Sequence, residues 1–160
     1  MSVVKAATAP TQYEVEAAFL LNFTKFIDWP SSSFASPSDP FRICIAGEDP
    51  FGDTLDKMVE GETVSSHKLA VARLHHEAPV NCQIIFVSKT ERGVAELLSA
   101  VKTAVLTVGE TESFLRQGGI IRFVLEENHV RFDVNQIAAR RSGLTISSKL
   151  LNVARKVEGR

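Results

Sequence analysis

Apolar residues recur first at helical spacing and then in short unbroken runs. Val15, Phe19, Phe23 and Phe26 fall near every fourth position between Tyr13 and Ile27, which sets them on one face of a helix. Ala17, Leu20, Leu21 and Ile27 widen that apolar surface beyond a single stripe. Trp29-Pro30 ends the helix, because proline disfavours helical geometry in the residue before it, and a Ser/Pro-rich loop follows from Ser31 to Pro40. The period then changes. Phe41 to Ala46, Cys82 to Val87 and Ala104 to Val108 read as buried strands, and Lys68 to Leu74 alternates in part like a half-exposed one. Between them, Gly47 to Gly52 reads as a turn, while Thr54 to Val59 and Glu91 to Val101 read as helices. Glu112 to Gln117 reads as a short helix stopped by Gly118-Gly119.

Strands alternating with helices predict βαβ units. The C-terminal stretch from Gly118 to Ala154 departs from that rhythm. Ile120 to Leu125 and His129 to Val134, joined by Glu126-Glu127-Asn128, predict an antiparallel hairpin. A helix from Gln136 to Arg141 follows, then a last helix capped by Ser147 or Ser148, with Leu150, Leu151, Ala154 and Val157 as its stripe. The expected fold is α/β: a mainly parallel central sheet flanked by helices, with a C-terminal β-hairpin and two short helices. Residues 1–12 are expected to be a disordered segment and 13–160 a single domain, since 160 residues suffice for one well-buried core.

Charge and composition narrow the function classes. The net charge is −1 and the basic residues are scattered apart from Arg140-Arg141, which argues against a nucleic-acid binder. No apolar run approaches the length needed to span a bilayer. Ala7-Thr8-Ala9 has the small-x-small form of an export cleavage site without an apolar segment before it. The expectation is an exported protein whose leader is absent from this chain, although an ordinary disordered start fits the same residues. Cys44 and Cys82 are the only cysteines; their separation excludes a CxxC redox motif, and two alone cannot make an all-cysteine zinc site. Buried free thiols and a disulfide both remain open on composition.

Catalytic chemistry finds little support. Gly47 to Gly52 follows the first predicted strand, where open α/β sheets often bind ligands. Gly47, Asp49 and Gly52 therefore mark a candidate ligand turn. It lacks both the Lys-Ser/Thr of a P-loop and the dinucleotide glycine spacing, and its acids would repel a phosphate, so it reads first as a structural turn. A phosphoacceptor domain needs a carboxylate at the end of a central strand, yet the strand ending at Val87 continues into Ser88-Lys89. His75-His76-Glu77 reads as a solvated loop rather than a metal site, His67 and His129 have no evident partner, and Glu126-Glu127 reads as a solvated turn. No nucleophile elbow with an ordered acid and histidine is present. Arg140 and Arg141, near Ser147, Ser148 and Lys149, are a candidate anion site or a solvated helix face. Phe19, Phe23 and Phe26 with Trp29 read first as core, with surface left over for a dimer or partner.

At this point ordered motifs carry a resemblance. Ala18-Phe19-Leu20-Leu21-Asn22-Phe23 leads to Phe26 and Trp29-Pro30. The Gly47 to Gly52 turn and Leu106-Thr107-Val108 follow. The firmest are Gly118-Gly119-Ile120-Ile121, Arg131-Phe132-Asp133-Val134-Asn135 and Ile146-Ser147-Ser148-Lys149-Leu150-Leu151. From Tyr13 to Val157 the chain resembles YfiR-like proteins, periplasmic regulators of Gram-negative bacteria. The resemblance implies repression of a membrane-bound diguanylate cyclase through its periplasmic domain, with lower cyclic-di-GMP and less biofilm. It also implies sequestration by an outer-membrane lipoprotein, and a homodimer. Cys44 and Cys82 fit one disulfide position of that family. A second bridge found in some relatives has no counterpart, so redox control resting on it is not implied for this chain.

The resulting expectation is a non-enzymatic periplasmic regulator without cofactor or metal. It would act by binding one state of a partner more tightly than another, with Phe19, Phe23, Trp29, Arg140 and Arg141 as contact residues. The alternative is a periplasmic small-molecule-binding module using the Gly47 to Gly52 turn. A hydrolase with an unrecognised site is the third and weakest reading, for want of a nucleophile–base pair.

Overall fold

The computed structural model describes residues 9–101 and 104–159. Ala7 and Thr8 of the expected cleavage triplet, and most of the segment 1–12, lie outside the described residues. The chain runs α1 (Gln12–Phe26), β1 (Ile27–Asp28), β2 (Phe41–Ala46), α2 (Thr54–Val59), β3 (Thr63–Val64), β4 (His67–Leu74), β5 (Ile84–Val87) and α3 (Val94–Ala100). It continues through β6 (Leu106–Gly109), β7 (Ile121–Glu126), β8 (His129–Asn135), α4 (Gln136–Arg141), β9 (Thr145–Ile146), α5 (Ser148–Val153) and β10 (Lys156–Glu158). Eight strands form one sheet in the order β10-β8-β7-β6-β5-β2-β4-β3, and β1 pairs separately with β9. The ladders β4-β2-β5-β6-β7 and β10-β8 are parallel, whereas β7-β8 and β3-β4 are antiparallel hairpins. The mixed α/β fold with a mostly parallel sheet is the one the sequence predicts.

Successive strand side chains point to opposite faces, and here both faces of the central strands are covered. Phe41, Ile43, Ile45, Ile84, Phe86, Leu106 and Val108 face the larger core, beneath α1, α2, α4 and α5. Cys44, Ala46, Ile85 and Val87 face a smaller core with Val94 of α3 and Phe114. Continuous apolar runs are what such doubly covered parallel strands require. Thr11 caps α1, its hydroxyl accepting the Glu14 amide N–H at 3.2 Å. Phe19 and Phe23 pack against Phe123 and Phe132 of the terminal hairpin. No described helix is long and apolar enough to cross a membrane.

Two local expectations are corrected. Residues 112–117 form successive turns, not a helix. The Thr111 and Phe114 carbonyls accept the Phe114 and Gly119 N–H groups, wrapping the chain around the buried Phe114 ring. Val157 belongs to β10, not to the stripe of the last helix, which ends at Val153. There Arg155 places its guanidinium on both carboxylate oxygens of Asp133, at 2.9 and 2.7 Å, and its main-chain N–H on the Phe132 carbonyl, docking the tail beside β8. Ser147 is the cap of α5, accepting the Lys149 N–H at 3.2 Å.

Candidate functional site

Two regions nominated separately in the sequence are joined in space. The end of α1 runs into β1, and β1 pairs with β9 through Ile27–Ile146 and Asp28–Thr145. The Ser147 N–H donates to the Phe26 carbonyl at 2.8 Å. The short loop between α4 and β9 comes up against Pro30, with the position of a Cβ on Gly143 lying 3.9 Å from the proline ring. The α1 exit, with Phe26, Asp28 and Trp29, and the C-terminal turn of α4, with Arg140 and Arg141, therefore share one edge.

The aromatic residues divide along this edge. Phe23 is wholly buried, so it supports the edge from beneath and presents no surface to a partner. Phe19 is half-buried and is taken up by the Phe23, Phe123 and Phe132 rings. Phe26, at 37% exposure, is the large apolar side chain that the end of α1 turns outward. Trp29 is half-buried, stands edge-on to Phe41, and donates its indole N–H to the Gln83 carbonyl at 2.9 Å. Gln83 is buried and serves as a hub. It accepts the Arg42 N–H at 2.7 Å and donates to the Ser33 carbonyl at 2.8 Å, fixing the loop after Trp29. Arg140 and Arg141 are exposed, and cations in the last turn of a helix are favoured by its dipole.

A second place is a crevice of about 950 Å³ at the carboxyl ends of β2, β4 and β5, bounded by residues 47–49, 73–76 and 89–92. Here the chain leaves β2 toward α2 on one face of the sheet and leaves β5 toward α3 on the other. Such switch points are where open α/β sheets hold ligands. Gly47, Glu48 and Asp49 of the predicted turn line it, whereas Gly52, the third candidate of that turn, does not. Gly47 has φ +86°, and a Cβ there would lie 3.0 Å from both Ser88 and Thr90, so glycine answers a backbone need.

Asp49 is committed to structure. Arg73 of β4 donates to Asp49 at 2.8 Å, to both oxygens of Asp56 at 3.1 and 2.6 Å, and to the Gly52 carbonyl at 3.1 Å. That pairing holds the Asp56 carboxyl below its usual range and raises the Arg73 guanidinium, in each case chiefly through their mutual hydrogen bonds. The arginine clamp was not legible in advance, because Arg73 sits in a strand and its acids lie beyond a turn; only the pairing of β2 with β4 brings them together.

His75 and His76 are exposed at the crevice rim, as a loop reading expects. Among the described residues no group of three His, Cys, Asp or Glu side chains is arranged to hold a metal ion. Glu126 ends β7 and pairs with Arg155 at 3.1 Å and Arg131 at 3.7 Å, which leaves Glu127 alone of the predicted acid pair in the turn. On the smaller-core face Cys44 and Cys82 form a disulfide with Cα atoms 5.9 Å apart.

A family model described as YfiR/HmsC-like matches residues 13–155. No curated protein matches the chain. Among solved structures, a conserved domain protein from Vibrio cholerae O1 biovar eltor superposes with a TM-score of 0.53 at 13% identity, over 94% of this chain and 62% of that one. The chain thus spans less than two-thirds of that protein's length, and the likeness is one of fold. An ABC domain in complex with L-Trp from Streptococcus pneumonia gives a TM-score of 0.43 at 12% identity, over 73% of this chain and 55% of that one.

Proposed function

The chain belongs to the YfiR/HmsC-like family, whose members are periplasmic regulators of cyclic-di-GMP signalling, and on that premise we propose that it binds and represses a membrane-bound diguanylate cyclase through the cyclase's periplasmic domain. The observation that carries this reading is the shared edge. The β1–β9 ladder joins the segment that carries an exposed phenylalanine and a half-buried tryptophan to the strand that follows α4 and its two exposed arginines. Aromatic and arginine side chains on a rigid support are the usual anchors of protein interfaces. Phe26, Trp29, Arg140 and Arg141 are the proposed contacts, with Phe19 and Phe23 holding the helix that presents them.

Repression follows as a population shift: binding the inactive state of the sensor more tightly than the active state lowers the fraction of cyclase able to turn over. Cyclic-di-GMP and biofilm would fall accordingly. Removal of the regulator by an outer-membrane lipoprotein would reverse the effect, and a homodimer would present the edge twice.

Reversing both charges, Arg140→Glu with Arg141→Glu, should weaken binding to the cyclase's periplasmic domain by about tenfold or more while lowering the melting temperature of the isolated protein by only a few degrees, roughly the share of the helix dipole. Titration by calorimetry measures the first and thermal denaturation the second. Unchanged affinity removes this edge from the interface.

The crevice at the strand ends favours a second reading, a small-molecule-binding sensor module. Its lining of mixed charge, which includes Lys89, Arg92, Glu48 and Glu91, suits a small polar molecule bearing both signs. A ligand that binds only the folded state raises the melting temperature. A screen of such metabolites that moves it, with the shift lost on Gly47→Val, supports this reading; no shift with any of them removes it.

A further inference from the structure

One buried cluster has no part in either site. Glu16 lies on the inner side of α1 with 1% of its surface exposed. Its Oε2 accepts the Gln12 side-chain N–H at 2.9 Å. Across from it stands Glu110, just past β6, whose Oε2 accepts the Lys89 main-chain N–H at 3.2 Å. The Oε1 atoms of both carboxyl groups are buried, and among the described residues neither has a hydrogen-bond partner. Two carboxylates so placed would repel each other in a dry joint and each leave an acceptor unmet. One proton between them satisfies both oxygens and removes the repulsion.

We propose that Glu16 and Glu110 share a single proton, and that its loss loosens the first turns of α1 from the end of β6, making this joint a pH-sensitive latch. The surrounding groups fit that role. Tyr13, one residue-turn earlier on α1, faces Glu110, and burial together with that carboxylate keeps its phenol protonated well above the ordinary range. The Lys89 ammonium, exposed on the loop after β5, is the cation whose field reaches Glu16, and it opposes the shift only in part. Burial first, and the Glu110 charge second, push Glu16 up to about 8. The direction of the linkage follows. A carboxyl freed by opening ionises near its ordinary value of about 4.3, whereas in the closed joint it holds its proton to about 8. Closure is therefore fully stabilised at low pH, weakens progressively as pH rises between those values, and weakens no further above the upper one.

The inference concerns the protein alone and does not depend on the partner-binding reading. With glutamate carboxyl carbons labelled by ¹³C, the Glu16 resonance, assigned by its absence in Glu16→Gln, should titrate with a midpoint near about 8. A midpoint in the ordinary glutamate range, about 4 to 5, overturns the proposal.

Amide exchange provides the second arm. After correction for intrinsic chemistry, exchange in the first turns of α1 should rise by up to about tenfold per pH unit toward the Glu16 midpoint and then level off, while β2 stays flat. Glu16→Gln supplies a permanent N–H to Glu110 and should abolish that rise. Should it not fold, Glu110→Gln places the fixed donor on the opposite partner. Persistence of the rise in folded Glu16→Gln, or a rise in Glu110→Gln that does not move to lower pH, overturns the latch.

Discussion

Phe114 and its two glycines show how a residue can be required for what it lacks. The ring is fully buried, and a Cβ on Gly109 or Gly119 would lie 2.4 or 2.2 Å from its atoms. Such distances are well inside van der Waals contact, so the bare glycines are what let the turns of residues 112–117 close over the ring. Gly119→Ala should cost about 1–3 kcal/mol, in the range of overpacked cores, read as a lower midpoint in urea with an unchanged slope. A variant as stable as the parent would show that the ring can move aside. In the sequence Gly118-Gly119 reads as a helix stop, because a glycine pair after an apparent helix is a common C-cap. The steric reason stays hidden there, since it depends on where Phe114 is folded back. Glu16 is similar: its letter fits an ordinary helix, and only the packing of the inner side of α1 buries it and brings it against Glu110.

At the scale of elements, legibility followed the strength of local turn and period signals. The β7–β8 hairpin is predicted by its alternation, and it closes with Glu127 and Asn128 both at positive φ, 49° and 63°. That is the two-residue geometry in which Asn-Gly is favoured. Glu127→Asn with Asn128→Gly should therefore raise stability by about 0.5–1 kcal/mol, as a higher thermal midpoint; a loss would mean that Glu127 makes a contribution its exposure does not suggest. The β3–β4 hairpin turns the same way on Ser65 and Ser66, φ 49° and 73°, yet the sequence offers no glycine or asparagine there and β3 is two residues long. It is invisible in advance for that reason. β10 is obscured by the opposite fault: Val157 falls at helical spacing after Ala154, and the Arg155–Asp133 pairing overrides that period.

For the whole molecule, the disulfide ties β2 to the segment just before β5, at a sequence separation of 38 that takes in α2, β3 and β4. In the chain-entropy model a closed loop of this size stabilises by roughly 4 kcal/mol. Cys44→Ala with Cys82→Ala, or reduction, should lower the melting temperature by about 10 °C for a domain of this length, measured by calorimetry with and without reductant. A shift of a degree or less would mean that packing around both sulfurs carries the fold unaided. The cysteines by themselves leave thiols and bridge equally open; the resemblance to a family with a bridge at this position favours one, and the adjacent pairing of β2 and β5 provides the geometry. What the sequence determined alone was local: most of the helices, which strands are covered on both faces, and hence an α/β sheet, because periodicity and turn chemistry act over a few neighbours. The tertiary structure alone decided the joint edge of α1 and α4, the arginine clamp on the crevice turn and the shared proton of Glu16 and Glu110. Each depends on groups far apart along the chain, whose charge and exposure are set by the neighbours folding brings to them.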